Sequence, residues 1–308
     1  MDDQPHHAPQ KLVETVPESK PSNSSAMSQT SNDQERIRQV AKRLAAKNAD
    51  NIRQVIQQHE LERYQGDAVF CPVCDSGFSA FAPAYQWVLP NTASDKKCTI
   101  QHPEARCPQC QSLQRHRLLA WYLQHVIYPT NAPKVLLDIA PFVPLAEALH
   151  NRPESQYHAV DLNPGDEKFR NAPFAILQAD LCALPFENDL FDLILCSHVL
   201  EHIPDDITAL AEILRVLKPS GMAILQIPAN NLIDITYEDQ SITQPEAREA
   251  AFGQCDHVRI YGRDFPERLQ KAGFKVNTAE CRSLANDADI QRFGFDAHET
   301  LYLCTNPL

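Results

Sequence analysis

Between Lys134 and Ile227 the chain alternates short apolar runs with polar or amphipathic connectors, and this rhythm restricts the possible fold more than any other feature. Lys134 to Ala140 (KVLLDIA) is a continuous apolar run of the kind a parallel strand covered on both faces requires. Similar runs follow at Gln156 to Asp161, Ala175 to Ala179 and Phe191 to Ser197. Asp205 to Leu217 places Ile207, Leu210, Ile213, Leu214 and Leu217 on one helical face, with two acids at its start and Lys218-Pro219 at its stop. Gly221 to Ile227 reads as a fifth strand. Strands and helices alternating over about 100 residues imply right-handed βαβ units, hence a Rossmann-like α/β sheet with helices on both faces.

The flanking composition divides the rest of the chain. Residues 1 to 34 are rich in Ser, Pro, Gln and Asn and carry too little apolar surface to offset the entropy of ordering, so a disordered tail is expected. Residues 35 to 65 have helical apolar spacing on a polar surface, which suits packing or an oligomer contact; the oligomeric state itself is not legible. Residues 66 to 128 hold a small module of Cys, Pro and aromatics, then a linking helix (SLQRHRLLAWYLQHVI). Residues 129 to 308 hold the α/β domain, with a polar, irregular insertion at 228 to 261. After it come a helix from Arg263 to Ala272 and two more strands, Phe274 to Thr278 and Glu299 to Thr305.

Charge and cysteine usage narrow the function. The net charge of −12 argues against a general basic surface for polyanions, so nucleic acid is a secondary expectation. With no apolar leader and no run near about 18 apolar residues, a cytoplasmic protein that does not span a membrane is expected. Four of the ten cysteines form two Cys-x-x-Cys pairs, Cys71 with Cys74 and Cys107 with Cys110. Paired spacing of this kind fits tetrahedral Zn²⁺, and four protein ligands leave no open position, so the role is structural. Cys98 and His102 are alternative ligands. The remaining cysteines, Cys182, Cys196, Cys255, Cys281 and Cys304, read as packing residues.

In an open α/β sheet the ligand sits beyond the carboxyl ends of the strands, where strand order reverses. Asp138 lies near the end of the first strand, Asp161 ends the second, and Asp180 follows the third. Asp161 is placed to accept ribose hydroxyls, Asp180 to accept from an adenine amino group, and Leu181 to contact the ring. Taken singly, such aspartates are also common caps and turn residues. No glycine occurs from Phe78 to Pro164, which argues against the Gly-rich turn of a nicotinamide enzyme.

The stretch LPFENDLFDLILCSHVLEHIPDDITALAEILRVLKPSGMAILQIPA resembles the fourth- and fifth-strand region of class I S-adenosylmethionine-dependent methyltransferases of the small-molecule-like type, and the resemblance runs from about Lys134 to Pro228. The Cys-Pro-x-Cys pairs, TYEDQSIT, FGQCDHVRIYG and AGF are similar to a bacterial group of such enzymes with an N-terminal zinc-ribbon segment. The resemblance implies S-adenosylmethionine as cofactor and a sheet closed by two strands in a reversed hairpin. It also implies a cofactor shell of Asp138, Ala140, Asp161, Leu162, Asp180, Leu181, Ser197 and His198. One departure stands out: the first loop, usually glycine-rich, reads Asp138-Ile139-Ala140-Pro141-Phe142, with Ala140 at the expected closest approach.

Methyl transfer from a sulfonium mainly needs alignment and exclusion of water, and a base matters only when the acceptor loses a proton. His198 and His257 are the candidate bases, while Glu201 and His202 also read as the start of the next helix. His202, Tyr237, Glu238, Asp256, Arg259 and Tyr261 are candidates for the substrate mouth, with an internal Asp256–Arg259 ion pair as the plainer alternative. The expectation is methyl transfer to a small-molecule or saccharide-like acceptor. Two alternatives remain: a zinc-containing RNA methyltransferase using Arg106, Arg115, His116 and Arg117 as a basic face, and a non-catalytic zinc-ribbon interaction protein.

Overall fold

A computed structural model of the chain describes residues 48, 51, 52, 54–87, 99–130 and 134–307. Two compact units are present, residues 1–56 and 57–308. Of the first, the described residues are helical; the tail expected at residues 1 to 34 lies outside the described residues.

Residues 57–63 are helical and lead into two antiparallel hairpins, β1 (Val69–Cys71) with β2 (Ser76–Phe78), and β3 (Ala82–Trp87) with β4 (Thr99–Arg106). Helix α1 (Gln114–Tyr122) follows. The α/β rhythm then starts with β5 (Lys134–Ile139), α2 (Val143–His150), β6 (Ser155–Asp161), β7 (Ile176–Gln178), β8 (Phe191–Ser197), α3 (Asp206–Val216) and β9 (Leu217–Gln226). These bounds lie within a few residues of those read from periodicity. Helix α3 ends at Val216, so Leu217 opens β9, and Ile207, expected on the apolar face, is exposed; the buried stripe runs through Asp206, Ala209, Leu210, Ile213 and Val216.

The insertion at 228 to 261 is more regular than its polar composition implies. It holds a short ribbon, β10 (Tyr237–Glu238) against β11 (Arg259–Ile260), and helix α4 (Pro245–Phe252) between them. Pro245 supplies the preset φ of a first helical turn and Gly253, at φ 89°, ends the helix. The chain closes with α5 (Phe265–Lys271), β12 (Lys275–Glu280), α6 (Cys281–Leu284), α7 (Asp287–Phe293) and β13 (Thr300–Thr305).

Seven strands form one sheet in the order β12-β13-β9-β8-β5-β6-β7. The five strands from β5 to β9 are parallel, and β13 pairs antiparallel with both β9 and β12, the reversed hairpin expected at this edge. Side chains alternate between the two faces, as the period of two requires. Ile194 and Cys196 join Leu210, Ile213, Phe265 and Leu269 on one side. Leu193 and Leu195 join Leu118, Leu119, Leu145 and Leu149 on the other. Burying each such side chain stabilises by roughly 1.5–3 kcal/mol. The second cluster also contains Cys71, Val73, Phe78 and Phe81, so the cysteine module shares the core of the sheet and the expected division after residue 128 does not separate two compact bodies.

Candidate functional site

Cys71, Cys74, Cys107 and Cys110 converge, with all four sulfurs within 4.8 Å of one another. Cys71 Sγ lies 3.7 Å from Cys110 Sγ, and Cys74 Sγ 3.7 Å from Cys107 Sγ. Sulfurs at Zn–S distances of about 2.3 Å on a tetrahedron are about 3.8 Å apart, so the spacing fits a zinc ion. The two pairs share a local device: the residue after each, Asp75 and Gln111, is left-handed, at φ 53° and 63°. That reversal folds each Cys-x-x-Cys back so that both sulfurs face one point. Ser112 Oγ lies 3.2 Å from the sulfurs of Cys71 and Cys110 and can give its one hydroxyl proton to Cys71 while accepting from Cys110. Sulfur–sulfur hydrogen bonds push Cys71 and Cys107 down and Cys74 and Cys110 up, so the four titrate as a set. Of the alternative ligands, Cys98 and the His102 side chain lie outside the described residues. Cys196, Cys281 and Cys304 are buried as packing residues, whereas Cys255 is exposed.

The strand-order reversal falls between β5 and β8, and the expected cofactor residues gather along that end of the sheet. Asp138 is buried and accepts from Tyr157 Oη at 2.9 Å; burial pushes its carboxyl up to about 7. Asp161, at the tip of β6, accepts from the Asn163 amide at 2.7 Å and from Lys168 Nζ at 3.1 Å. Lys168 is 55% exposed, so its pairing is a weak surface contact that a ligand can displace. Asp180 is exposed and accepts from the Cys182 amide at 2.9 Å, Leu181 is buried, and Leu162 is exposed. Ser197 Oγ donates to Gln226 Oε1 at 2.9 Å.

Two non-glycine residues at this end have a left-handed backbone. Ala140 sits at φ 53° and His198 at φ 56°, each just past the tip of its strand. Such conformations are costly for residues with a Cβ and gather where the surrounding structure demands a particular turn. Ala140 thus takes the turn a glycine usually makes. Phe142 lies beside it, stacked on His116 with ring centroids 4.0 Å apart and planes 6° from parallel.

Beyond β8 and β9 opens a cavity of about 500 Å³. Its wall includes Arg115, His198, Glu201, His202, His257 and Glu299. His198 Nδ1 lies 3.3 Å from Glu201 Oε1, and His202 Nδ1 lies 3.2 Å from Asp256 Oδ2. Burial lowers the pKa of both His198 and His257, which leaves them neutral near pH 7. Burial raises Glu201, but the hydrogen bond from His198 and the pull of the neighbouring imidazoles outweigh it and hold the carboxyl low. Glu299 is pushed up to about 7 by burial against the opposing pull of Arg115. Neither Arg115 nor Glu299 was legible as a pocket residue, because α1 and the approach to β13 meet only in the fold.

The six expected substrate residues do not stay together. His202 joins His257 in the cavity wall, and Asp256 lies behind it, paired with His202. Arg259 corrects the expectation: its side chain is 2% exposed and donates to the carbonyls of Leu200, Ile203 and Pro204 and to Glu238. It therefore clamps the Leu200–His202 turn from within, and the Asp256–Arg259 pair does not form because Asp256 reaches His202 instead. Tyr261 is buried too, donating to Asp206 Oδ2 at 2.7 Å. Glu238 is spent on Arg259 and Arg268, and the exposed Tyr237 leans on Phe252.

Strand order, reversed closing hairpin and switch-point crevice together define the class I methyltransferase fold. Residues 140–225 match the family described as a methyltransferase domain, and they lie in a sheet with the class I methyltransferase strand order. The chain is 33% identical over 91 residues to a demethylmenaquinone methyltransferase of Chlamydia caviae, covering 27% of this chain and 40% of that protein. It is 42% identical over 64 residues to the demethylmenaquinone methyltransferase of Staphylococcus carnosus, covering 20% and 27%. The chain thus spans less than half the length of these relatives. A solved Haemonchus contortus phosphoethanolamine N-methyltransferase 2, in complex with phosphomonomethylethanolamine and S-adenosylhomocysteine, superposes with a TM-score of 0.42 at 17% identity, covering 61% of this chain and 52% of that one. Among the described residues no helix is long and apolar enough to cross a membrane.

Proposed function

We propose that this protein transfers a methyl group from S-adenosylmethionine to a small molecule held in the cavity beyond β8 and β9. The single observation that carries this reading is the row of acids along the switch-point end of the sheet, Asp138, Asp161 and Asp180, the last two inside the segment that matches a methyltransferase domain and the first just before it. In it, Asp161 accepts the ribose hydroxyls after displacing Lys168, Asp180 accepts from the adenine amino group, and Leu181 contacts the ring. Ala140 and the Ser197-His198 turn let the backbone approach the amino-acid end. The cofactor, when bound, supplies an electrophilic methyl carbon.

Of the two candidate bases, His198 is the better oriented. Its Nδ1 faces Glu201 Oε1 and its Nε2 is buried without a hydrogen-bond partner among the described residues. A proton on Nδ1 leaves the Nε2 lone pair free to take a proton from the acceptor. The acceptor is a small or saccharide-like molecule: a cavity of about 500 Å³ is in the size range of small-ligand sites, and the partial relatives are demethylmenaquinone methyltransferases, named for a small-molecule acceptor. The net charge of −12 disfavours the RNA reading. The cysteine cluster holds structural zinc, on the sulfur spacing given above.

Calorimetry with S-adenosylhomocysteine tests the reading. One saturable site per chain is expected, and no measurable binding would refute it.

A further inference from the structure

We infer that Glu201, His202 and His257 form a binding site for one divalent cation in the wall of the cavity. One ligand atom from each of the three lies within 4.8 Å of the other two. Two imidazoles and a carboxylate on one face, with the remaining positions open, is a donor set suited to first-row divalent ions.

Two orphaned atoms aim the site. Glu201 is 1% exposed and His257 2% exposed, yet Glu201 Oε2 and His257 Nδ1 have no hydrogen-bond partner among the described residues. Leaving a buried carboxylate oxygen and a buried ring nitrogen unsatisfied is costly, and a cation shared by both removes the cost. The neighbouring bonds set the ligand atoms. His257 Nδ1 is buried without a hydrogen-bond partner among the described residues, so its lone pair is available to a cation. His202 Nδ1 faces Asp256 Oδ2 at 3.2 Å, which leaves Nε2 as its available ligand atom. Carboxylate or carbonyl partners on the distal nitrogen are what orient metal-bound imidazoles. Glu201 Oε1 is used by His198, so Oε2 is the free donor.

The three ligands come from two segments that meet only in the fold. Glu201 and His202 sit in the turn after β8, and His257 comes from the insertion, whose Val258 amide bonds the Glu201 carbonyl at 2.9 Å. Arg259 holds the same turn by its carbonyls. The Asp256-His257-Val258-Arg259 segment thus has a task for each of its alternate residues: His257 as ligand and Arg259 as clamp. With three protein ligands, the open positions face the cavity and suit an oxygen of the acceptor, a hydroxyl or carboxylate; this last step rests on the methyltransferase reading.

Mn²⁺ is the probe, since it favours nitrogen and oxygen donors over four thiolates. Zinc-loaded full-length protein, cleared of weakly held metal by brief chelation, is titrated with Mn²⁺ and free ion is followed by electron paramagnetic resonance. One saturable Mn²⁺ per chain is expected. H202Q and H257Q each weaken it at least tenfold with zinc content unchanged. D256N, at a side chain 63% exposed, weakens it about tenfold and gives the reading if a buried substitution misfolds. Absence of saturable binding by both Mn²⁺ and Co²⁺, or equal affinity in all variants, overturns the site. S-adenosylhomocysteine calorimetry on the same samples separates the two claims: Mn²⁺ bound without the nucleoside would sink the methyl-transfer reading and leave the cation site standing.

Discussion

Arg117 Nε donates to the carbonyl oxygen of Phe293 at 2.8 Å, across 176 residues of sequence. The same guanidinium bonds the carbonyls of Ala105, Ser112 and Gly294 and stacks on Phe81 with its carbon 3.8 Å from the ring centroid. Gly294 makes this possible: a Cβ there would lie 2.3 Å from the Phe81 ring. Burial pushes Arg117 down to about 10, while the four cluster sulfurs pull it the other way. A zinc tetrathiolate, as proposed for the four cysteines, would carry two negative charges, and Arg117 would then be its counter-charge.

Arg117→Met therefore strands four carbonyls and one anionic cluster. A loss of roughly 3 kcal/mol or more is expected, which lowers Tm by about 6–12 °C in a unit of this size. Thermal unfolding followed by circular dichroism checks it; a shift within 1 °C of parent, about a third of a kcal/mol, would show the guanidinium to be dispensable.

Cys71→Ser is expected to reduce zinc from about one ion per chain and to lower stability, because metal binding free energy is folding free energy here. Elemental analysis beside a chelator-dependent melt measures both. Full zinc occupancy in the variant would exclude Cys71 from the ligand set.

Asp161→Ala should weaken S-adenosylhomocysteine at least tenfold, or about 1.4 kcal/mol. Lys168→Met, which removes only the exposed partner of that carboxylate, should change affinity less than threefold or improve it, since the ligand no longer displaces an ion pair. Calorimetry on the pair separates recognition by the carboxylate from a general loss of fold.

Ala140→Gly relieves a left-handed backbone at φ 53°. The gain in the folded state, about 1 kcal/mol, is partly offset by the added freedom of the unfolded chain, so a net stabilisation of roughly 0.5 kcal/mol is expected. Ala140→Val, with a branched Cβ, should cost more than about 1 kcal/mol. Denaturant midpoints for the two variants moving in the same direction would contradict this.

The share of stability held by Asp138 should fall as pH rises from 5 to 8, while His198 and His257, whose pKa burial lowers, act in the opposite sense below about pH 6.5. Asp138 has a folded pKa of about 7 against an unfolded value of about 3.9, so the folded state holds the proton more tightly. Its contribution is complete below about pH 4 and is lost as pH climbs through 7, by at most about 4 kcal/mol. Glu299, also raised to about 7, acts in the same direction. Asp138→Asn keeps an oxygen for Tyr157 and should flatten part of the profile, with the largest gain at pH 8. Urea titrations at pH 5, 6.5 and 8 measure it.

The five parallel strands, their order of appearance and the paired cysteines were legible in the sequence, because each rests on a local property: a run of apolar residues, a period, a two-residue spacing. The strand-tip aspartates were legible for the same reason, since a strand end fixes where its last side chain points. The insertion was not. Its short ribbon and helix carry little apolar periodicity, and what orders it is Arg259 inserted among carbonyls of the turn after β8, some 55 residues earlier.

The sequence by itself therefore determined the class of sheet and the donors it could offer. Tertiary structure alone decided which donors meet. It turned Arg259 and Tyr261 inward as structural groups, joined Glu201 and His202 to His257, and brought Arg115 and Glu299 to the same wall. The physical reason is range: apolar burial imprints a short period on the chain, whereas the pairing of buried polar groups depends on segments that only the packed sheet brings together.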